Sequence, residues 1–195
     1  MALFQIIVAI SAASAPDICM VDEQAMLKLE FRAFDQDMNG GWRALSKRPE
    51  CRTNAADVIR LYREQNEART TTLLWHEGQL RAEAGEIDQA ITLMTAAAKK
   101  TPGHGRNQED WNAYVDATVA FLKGDREQLL AARERLAQFP VPEGYLYKDA
   151  QGEVRTGRPP GWPFNLDVVD GLIRCFGRSY EEAYGSPHCR HPRRP

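Results

Sequence analysis

The side chains that could do chemistry in this chain are few and mostly far apart in sequence. His76 and Glu77 are neighbours, but a zinc-protease motif needs a second histidine at position 80, where Leu80 stands. No glycine-rich phosphate loop and no nucleophile elbow occurs along the chain. The sequence therefore predicts neither an enzyme of a recognisable class nor a bound cofactor.

A second group of candidate ligands lies near the end of the chain, at His188, Cys189 and His191. Imidazole and thiolate groups at this spacing can bind a metal ion, but prolines interrupt the segment and leave no neighbours to orient the ligands. We predict that residues 188–195 form a disordered tail, because chain ends are commonly poorly ordered. No designed metal site is predicted there.

Oxygen-bearing side chains recur at alternate positions in Asp35, Asp37 and Asn39. The stretch 31–41, FRAFDQDMNGG, resembles the helix-to-loop junction of calmodulin-type EF-hands, and the resemblance implies a calcium ion held by these three side chains. The carboxylate that closes such a loop would fall on Ser46, which cannot supply it. The alternative is a polar turn in which the Asp and Asn side chains accept hydrogen bonds from backbone amides.

The stretch from Thr71 to Pro102 has the pattern of two short helices folded against each other. Small residues recur where the helices would touch, a glycine lies at the turn and a proline ends the second helix. The residues in these roles, with one early large residue, are Leu74, Gly78, Gly85, Ala90, Ala97 and Pro102. This stretch resembles a tetratricopeptide repeat.

Two charged residues depart from the pattern of that family. Glu77 and Arg81 stand where the family usually has Leu and Tyr. Either they pair with each other across one helical turn, or the first helix faces its neighbours in an unusual way.

A weaker copy of the hairpin follows, with Gly124 in the role of Gly85. The resemblance over about 71–141 implies an all-α fold, a short tetratricopeptide-like stack of antiparallel helical hairpins with flanking N- and C-terminal helices. Residues 16–195 are predicted to form this single helical-repeat domain.

Apolar periodicity predicts the flanking elements. The helices before the stack are expected over 21–34 and 55–68, and a final helix is expected to begin at a capping Asn165 and to break near Gly177. Residues 140–163 are rich in Pro and Gly and are predicted to form a long loop.

The resemblance to the repeat family also implies a concave groove lined by the first helix of each hairpin. Its predicted lining combines aromatic anchors with polar groups, a combination that suits peptide capture. The lining residues are Trp75, Gln79, Glu83, Trp111, Tyr114 and Thr118. The alternative is that Trp75 and Trp111 belong to the core.

The leading hypothesis for function is a non-catalytic helical-repeat protein of the cell envelope that binds a protein or peptide partner. One alternative is a hydrolase that uses carboxylates along the groove, such as Glu77 and Glu83. The other is a partial EF-hand-like calcium-binding protein.

The balance of charged side chains and the first 15 residues indicate which partners and which cellular compartment to expect. The chain of 195 residues has 25 basic and 27 acidic side chains, a balance that does not favour nucleic acid. Residues 1–15 have the apolar run and small residues of a signal peptide, although no basic residue precedes the run. The run is shorter than the roughly 20 residues of a membrane span. We expect an exported protein, periplasmic or secreted, with a first helix of the mature domain as the alternative for this segment.

The four cysteines agree with export, because disulfides persist in oxidising compartments. Three pairings of four cysteines are possible. We favour Cys19 with Cys51 and Cys175 with Cys189, because each bond would tie down a terminal segment that a helical stack holds weakly.

Overall fold

The computed structural model of the protein describes residues 17–66, 70–98 and 108–190. The predicted signal peptide at 1–15 and the last five residues of the predicted tail lie outside the described residues.

The fold is all-α, as predicted from the sequence. The described α-helices are α1 (Glu23–Leu27), α2 (Gly41–Ser46), α3 (Arg52–Gln65), α4 (Thr70–Glu83), α5 (Ile87–Ala96), α6 (Gln108–Leu122), α7 (Arg126–Ala137), α8 (Leu166–Arg174), α9 (Tyr180–Gly185) and α10 (Pro187–Arg190). Within the described ranges, no helix has both the length and the apolar character needed to cross a bilayer.

Helix α4 lies between the two hydrophobic cores formed by the described residues. Leu73 and Leu80 pack with Ile59 into the first core, which the N-terminal elements up to α3 build. Trp75 and Ala82 pack into the second core, which extends through α5 to α10. Because apolar residues lie on more than one side of α4, the helix is largely enclosed, and its polar side chains need partners inside the protein.

Helical hairpins form at both predicted places, α4 with α5 and α6 with α7. Gly85 and Gly124 have φ angles of 82° and 70°, in the left-handed region that favours glycine. The amide of the residue after each glycine bonds five residues back, Glu86 to Arg81 at 2.8 Å and Asp125 to Ala120 at 2.9 Å. Both first helices therefore end in the same Schellman turn.

The predicted helix over 21–34 is wrong in its second half. Helix α1 ends at Leu27, and residues 32–36 form a separate π-helical turn. Tertiary contacts explain the break: the Tyr62 hydroxyl donates to the backbone oxygen of Leu29 at 2.8 Å, and the Phe34 ring stacks on Tyr62 at 3.7 Å. These contacts with α3 bury Phe34 and leave Ala33 exposed.

The predicted long loop over 140–163 contains a small antiparallel hairpin. Its strands are β1 (Leu146–Lys148) and β2 (Val154–Thr156), with Tyr147 opposite Arg155. Leu146 and Val154 remain exposed, so the hairpin lies on the surface of the helical body.

The C-terminal region also departs from the prediction. Asn165 precedes α8 as expected, but its side chain makes no capping hydrogen bond and its φ angle is 66°. Residues 188–190, assigned to a disordered tail, instead belong to α10. Arg190 holds this helix in place, because its guanidinium donates to the backbone oxygen of Tyr184 at 3.0 Å and to Asp167 at 2.5 Å.

The cysteine sulfurs lie in the two favoured pairs. The Sγ atoms of Cys19 and Cys51 are 1.99 Å apart, and those of Cys175 and Cys189 are 1.93 Å apart. Each pair is therefore at disulfide-bonding distance, one in each core.

Candidate functional site

A pocket of about 340 Å³ opens where α4, α6 and the C-terminal helices meet. Its lining combines aromatic rings with hydroxyl, amide and imidazole groups. The lining residues are Thr71, Thr72, Trp75, His76, Gln79, Trp111, Tyr114, Asn165 and Tyr184.

Two of the predicted groove residues lie elsewhere. Thr118 is fully buried, and its hydroxyl donates to the backbone oxygen of Tyr114 at 3.0 Å. Glu83 lies in another surface depression, where it pairs with Arg52 at 3.1 Å. The prediction placed both at the groove, but Thr118 points into the core and Glu83 lies further along α4 beside Arg52 of α3, so neither lines this pocket. The structure brings together the other four predicted residues, Trp75, Gln79, Trp111 and Tyr114.

The aromatic wall of the pocket is continuous with the second core. The Trp75 ring contacts those of Trp111 and Tyr114, with centroids 4.9 and 5.0 Å apart. Trp75 and Tyr114 are only 5% and 3% exposed, so they act as core residues that present one edge to the pocket. Trp111 is half-buried, and its indole N–H donates to the backbone oxygen of Ala97 at 3.0 Å. The wall is therefore rigid.

The imidazole of His76 pairs with a buried carboxylate. Asp35 is fully buried, and its Oδ1 lies 2.6 Å from His76 Nδ1 and accepts a hydrogen bond from Trp42 Nε1 at 3.0 Å. Its other oxygen accepts from the amide of Gln36. Asp35 and His76 are 41 residues apart in sequence, and no motif links them. Sequence reasoning therefore missed this pair.

The surroundings of Asp35 favour its charged form. Burial alone would raise the pKa of this carboxyl group, but the hydrogen bond and charge of His76, with the hydrogen bonds from Trp42 and Gln36, hold the pKa below its ordinary value of 3.8. Asp35 is therefore an ionised carboxylate at neutral pH.

This geometry fixes the ring of His76 at the pocket. Among the described residues, Asp35 is its hydrogen-bond partner, through Nδ1, so Nε2 is available to a ligand. A carboxylate that holds Nδ1 of an imidazole is the arrangement that orients the general base in many hydrolases. Thr72 lies one helical turn earlier on the same face of α4 and also lines the pocket.

Glu77 and Arg81 are buried in an ion-pair network on another side of α4. The Glu77 carboxylate lies 3.1 Å from Arg63 and 3.9 Å from Arg81, and Arg81 lies 2.5 Å from Asp57 and 2.7 Å from Glu86. The two residues thus approach each other, as the first alternative expected, but they bind more closely to α3 and to the turn before α5.

The predicted hydrolase carboxylates do not face the pocket. Burial raises the pKa of Glu77 against the opposing effects of Arg63 and Arg81, and burial raises that of Glu83 against the effect of Arg52. Neither side chain lines this pocket: Glu77 lies in the ion-pair network, and Glu83 lines the depression beside Arg52.

The EF-hand-like stretch forms a polar turn. Asp35 points into the core, whereas Asp37 and Asn39 are exposed. Asp37 Oδ1 accepts from the backbone amide of Asn39 at 2.9 Å, and Asn39 Oδ1 accepts from Lys47 Nζ at 2.7 Å. The three predicted calcium ligands therefore do not converge, because Asp35 is recruited by His76 and Trp42.

Comparison of the chain with protein-family models, curated proteins and solved structures finds no match.

The buried pair gives a testable dependence of stability on pH. Asp35→Asn should lower the free energy of unfolding by about 3 kcal/mol near neutral pH, because it leaves His76 without its charged partner. Since the folded pKa of Asp35 is depressed, its contribution is present above the ordinary value of 3.8 and is lost as pH falls through the folded value. Urea unfolding at about pH 6, 4 and 3 should show the difference from wild type narrowing at the acid end.

The matched control is Asp37→Asn, two residues away on the exposed turn, which should change stability by less than about 0.5 kcal/mol. A difference for Asp35→Asn that stays constant across this pH range would contradict the assignment of Asp35 as the ionised partner of His76.

Proposed function

We propose that this protein is a non-catalytic helical-repeat protein of the cell envelope that binds a peptide segment of a partner protein. The observation that carries the proposal is the convergence of Trp75, Gln79, Trp111 and Tyr114, from two helical hairpins, on one pocket. We further propose that these hairpins belong to the tetratricopeptide-like class, which commonly presents a concave binding surface.

The size of the pocket supports a peptide anchor. A volume of about 340 Å³ lies at the low end of the roughly 300 to 1,000 Å³ usual for ligand pockets, enough for one large side chain and its backbone. The rigid aromatic wall can bury the apolar part of that side chain, and the amides of Gln79 and Asn165 can bind its backbone. Partner segments with a large aromatic or aliphatic residue fit this description.

Substitution at the pocket rim tests the proposal. Peptides are first selected from a random displayed library on the wild-type protein. They should bind the Trp111→Ala variant about 2 kcal/mol more weakly, or roughly 30-fold in Kd, because the large side chain of the peptide loses its contact with the Trp111 ring. Binding is measured by calorimetry with the synthesised peptides.

Lys123→Ala is the matched control, since Lys123 lies on the same hairpin but lines a different depression. Thermal unfolding of each variant verifies the fold. Selected peptides that bind Trp111→Ala as tightly as wild type would place the binding surface elsewhere and refute the proposal.

The Asp35–His76 pair favours a second candidate function, hydrolysis of an acyl ester. His76 Nε2 would remove a proton from water, the water oxygen would attack the acyl carbon, and the imidazolium would return the proton to the leaving alkoxide. Hydrolysis of a chromogenic ester by wild type and by Lys123→Ala, but not by His76→Ala, is the expected result for this candidate. No hydrolysis by wild type, or equal rates with His76→Ala, would reject it.

We also propose that the protein is exported and that both cysteine pairs are disulfides in the envelope. Support comes from the two sulfur pairs at bonding distance, which close loops with sequence separations of 32 and 14 residues. Chain-entropy arguments give about 3 to 4 kcal/mol of stabilisation for loops of this size. Alkylation of the envelope fraction before and after reduction should label all four cysteines only after reduction; labelling before reduction would contradict both claims.

A further inference from the structure

A histidine lies against one of the two cysteine pairs. His188 Nε2 is 3.4 Å from the Sγ of Cys175 and 3.4 Å from the Sγ of Cys189. The imidazole nitrogen and the two sulfurs lie within 4.8 Å of one another. Among the described residues, these three side chains are close enough together to bind one metal ion. Both sulfurs are buried, whereas the imidazole is largely exposed. The cluster is therefore buried on the side of the sulfurs and accessible to solvent on the side of the imidazole.

A neighbouring hydroxyl orients the imidazole toward the sulfurs. Ser186 Oγ lies 2.6 Å from His188 Nδ1, a hydrogen bond that leaves Nε2 as the nitrogen directed at both cysteines. Metal-binding histidines usually have such a bond on the nitrogen that does not bind the metal, since it fixes the ring and the tautomer. Glu182 adds an oxygen donor, with its Oε1 3.9 Å from Nε2.

We propose that, when the Cys175–Cys189 pair is reduced, Cys175, Cys189 and His188 bind one zinc ion. Two thiolates and an imidazole are ligands that zinc prefers, and the carboxylate of Glu182, 3.9 Å from His188 Nε2, can supply a fourth, tetrahedral ligand. In an oxidising medium the two sulfurs form a disulfide and the metal site does not exist. The cluster is thus a zinc site governed by the redox state of the chain.

The chemical steps balance with a dithiol as reductant. The dithiol gives two electrons and two protons to the Cys175–Cys189 bond, which breaks to two thiols, while the dithiol closes to its own disulfide. Zinc then displaces the two thiol protons as it binds the thiolates. Zinc–sulfur bonds of about 2.3 Å at the tetrahedral angle separate the sulfurs by about 3.8 Å, a distance that non-bonded sulfurs reach once the disulfide opens.

The other cysteine pair provides an internal comparison. Cys19 and Cys51 are both buried in the first core, and the group of potential metal ligands among the described residues does not include them. Reduction should therefore free four thiols but create one metal site.

Cobalt and zinc titrations test the proposal. The chain is reduced with a dithiol, desalted without oxygen and titrated with Co²⁺, whose visible absorption reports tetrahedral thiolate coordination, and Zn²⁺ is then added as competitor. We expect one Co²⁺ per reduced chain, displaced by Zn²⁺, and no such absorption from the oxidised chain. His188→Ala should weaken binding about 10-fold or more, and it should not disturb folding, because this side chain is 63% exposed.

The matched control is the double variant Cys19→Ser and Cys51→Ser, which should bind Co²⁺ as wild type does, whereas Cys175→Ser should abolish the absorption. Near-ultraviolet circular dichroism of the reduced chain verifies that the binding species is folded. Equal affinity for wild type and His188→Ala, tetrahedral cobalt absorption from the oxidised chain, or loss of binding in the Cys19/Cys51 double variant would overturn the proposal.

Discussion

The enclosure of α4 between the two cores is the constraint on which the rest of the described structure depends. A helix with apolar residues on several sides can place polar groups inside the protein only where another element supplies a partner. His76 finds the carboxylate of Asp35, and Arg81 finds carboxylates of α3 and of the turn before α5. These partners fix how the N-terminal elements lie against the hairpins, and hence what surrounds the pocket.

The sequence predicted the features of the fold that depend on a single residue and its immediate neighbours. Gly85 and Gly124 end their helices in left-handed turns, a conformation that costs other residues more. Gly78 permits the close approach of α5, because a Cβ at this position would lie 2.8 Å from Met94 Cγ. The weak hold of a helical stack on its terminal segments also favoured the cysteine pairs that the structure brings to bonding distance.

Features that depend on distant contacts were not predictable in the same way. The periodicity of residues 21–34 is helical, but Tyr62 takes the backbone oxygen of Leu29 and divides the segment. Asp35 was a candidate calcium ligand because its stretch resembles an EF-hand loop, yet its partner is 41 residues away on α4. The resemblance to the repeat family implied the four groove residues, whereas Asn165 and Tyr184 reach the same pocket only through the tertiary fold.

The two polar clusters on α4 both bury charge, but only one of them reaches the pocket. A buried ion pair often contributes no more stability than well-packed apolar residues of the same size, so stability alone does not account for its presence. The network of Glu77 and Arg81 joins α3, α4 and the turn before α5 and lines no part of the pocket, so it acts on the packing of these elements. Asp35 also joins three elements, its own turn, α2 through Trp42 and α4 through His76, and it holds His76 at the pocket wall. The pair therefore both ties the N-terminal elements to α4 and sets the position of the imidazole that lines the pocket.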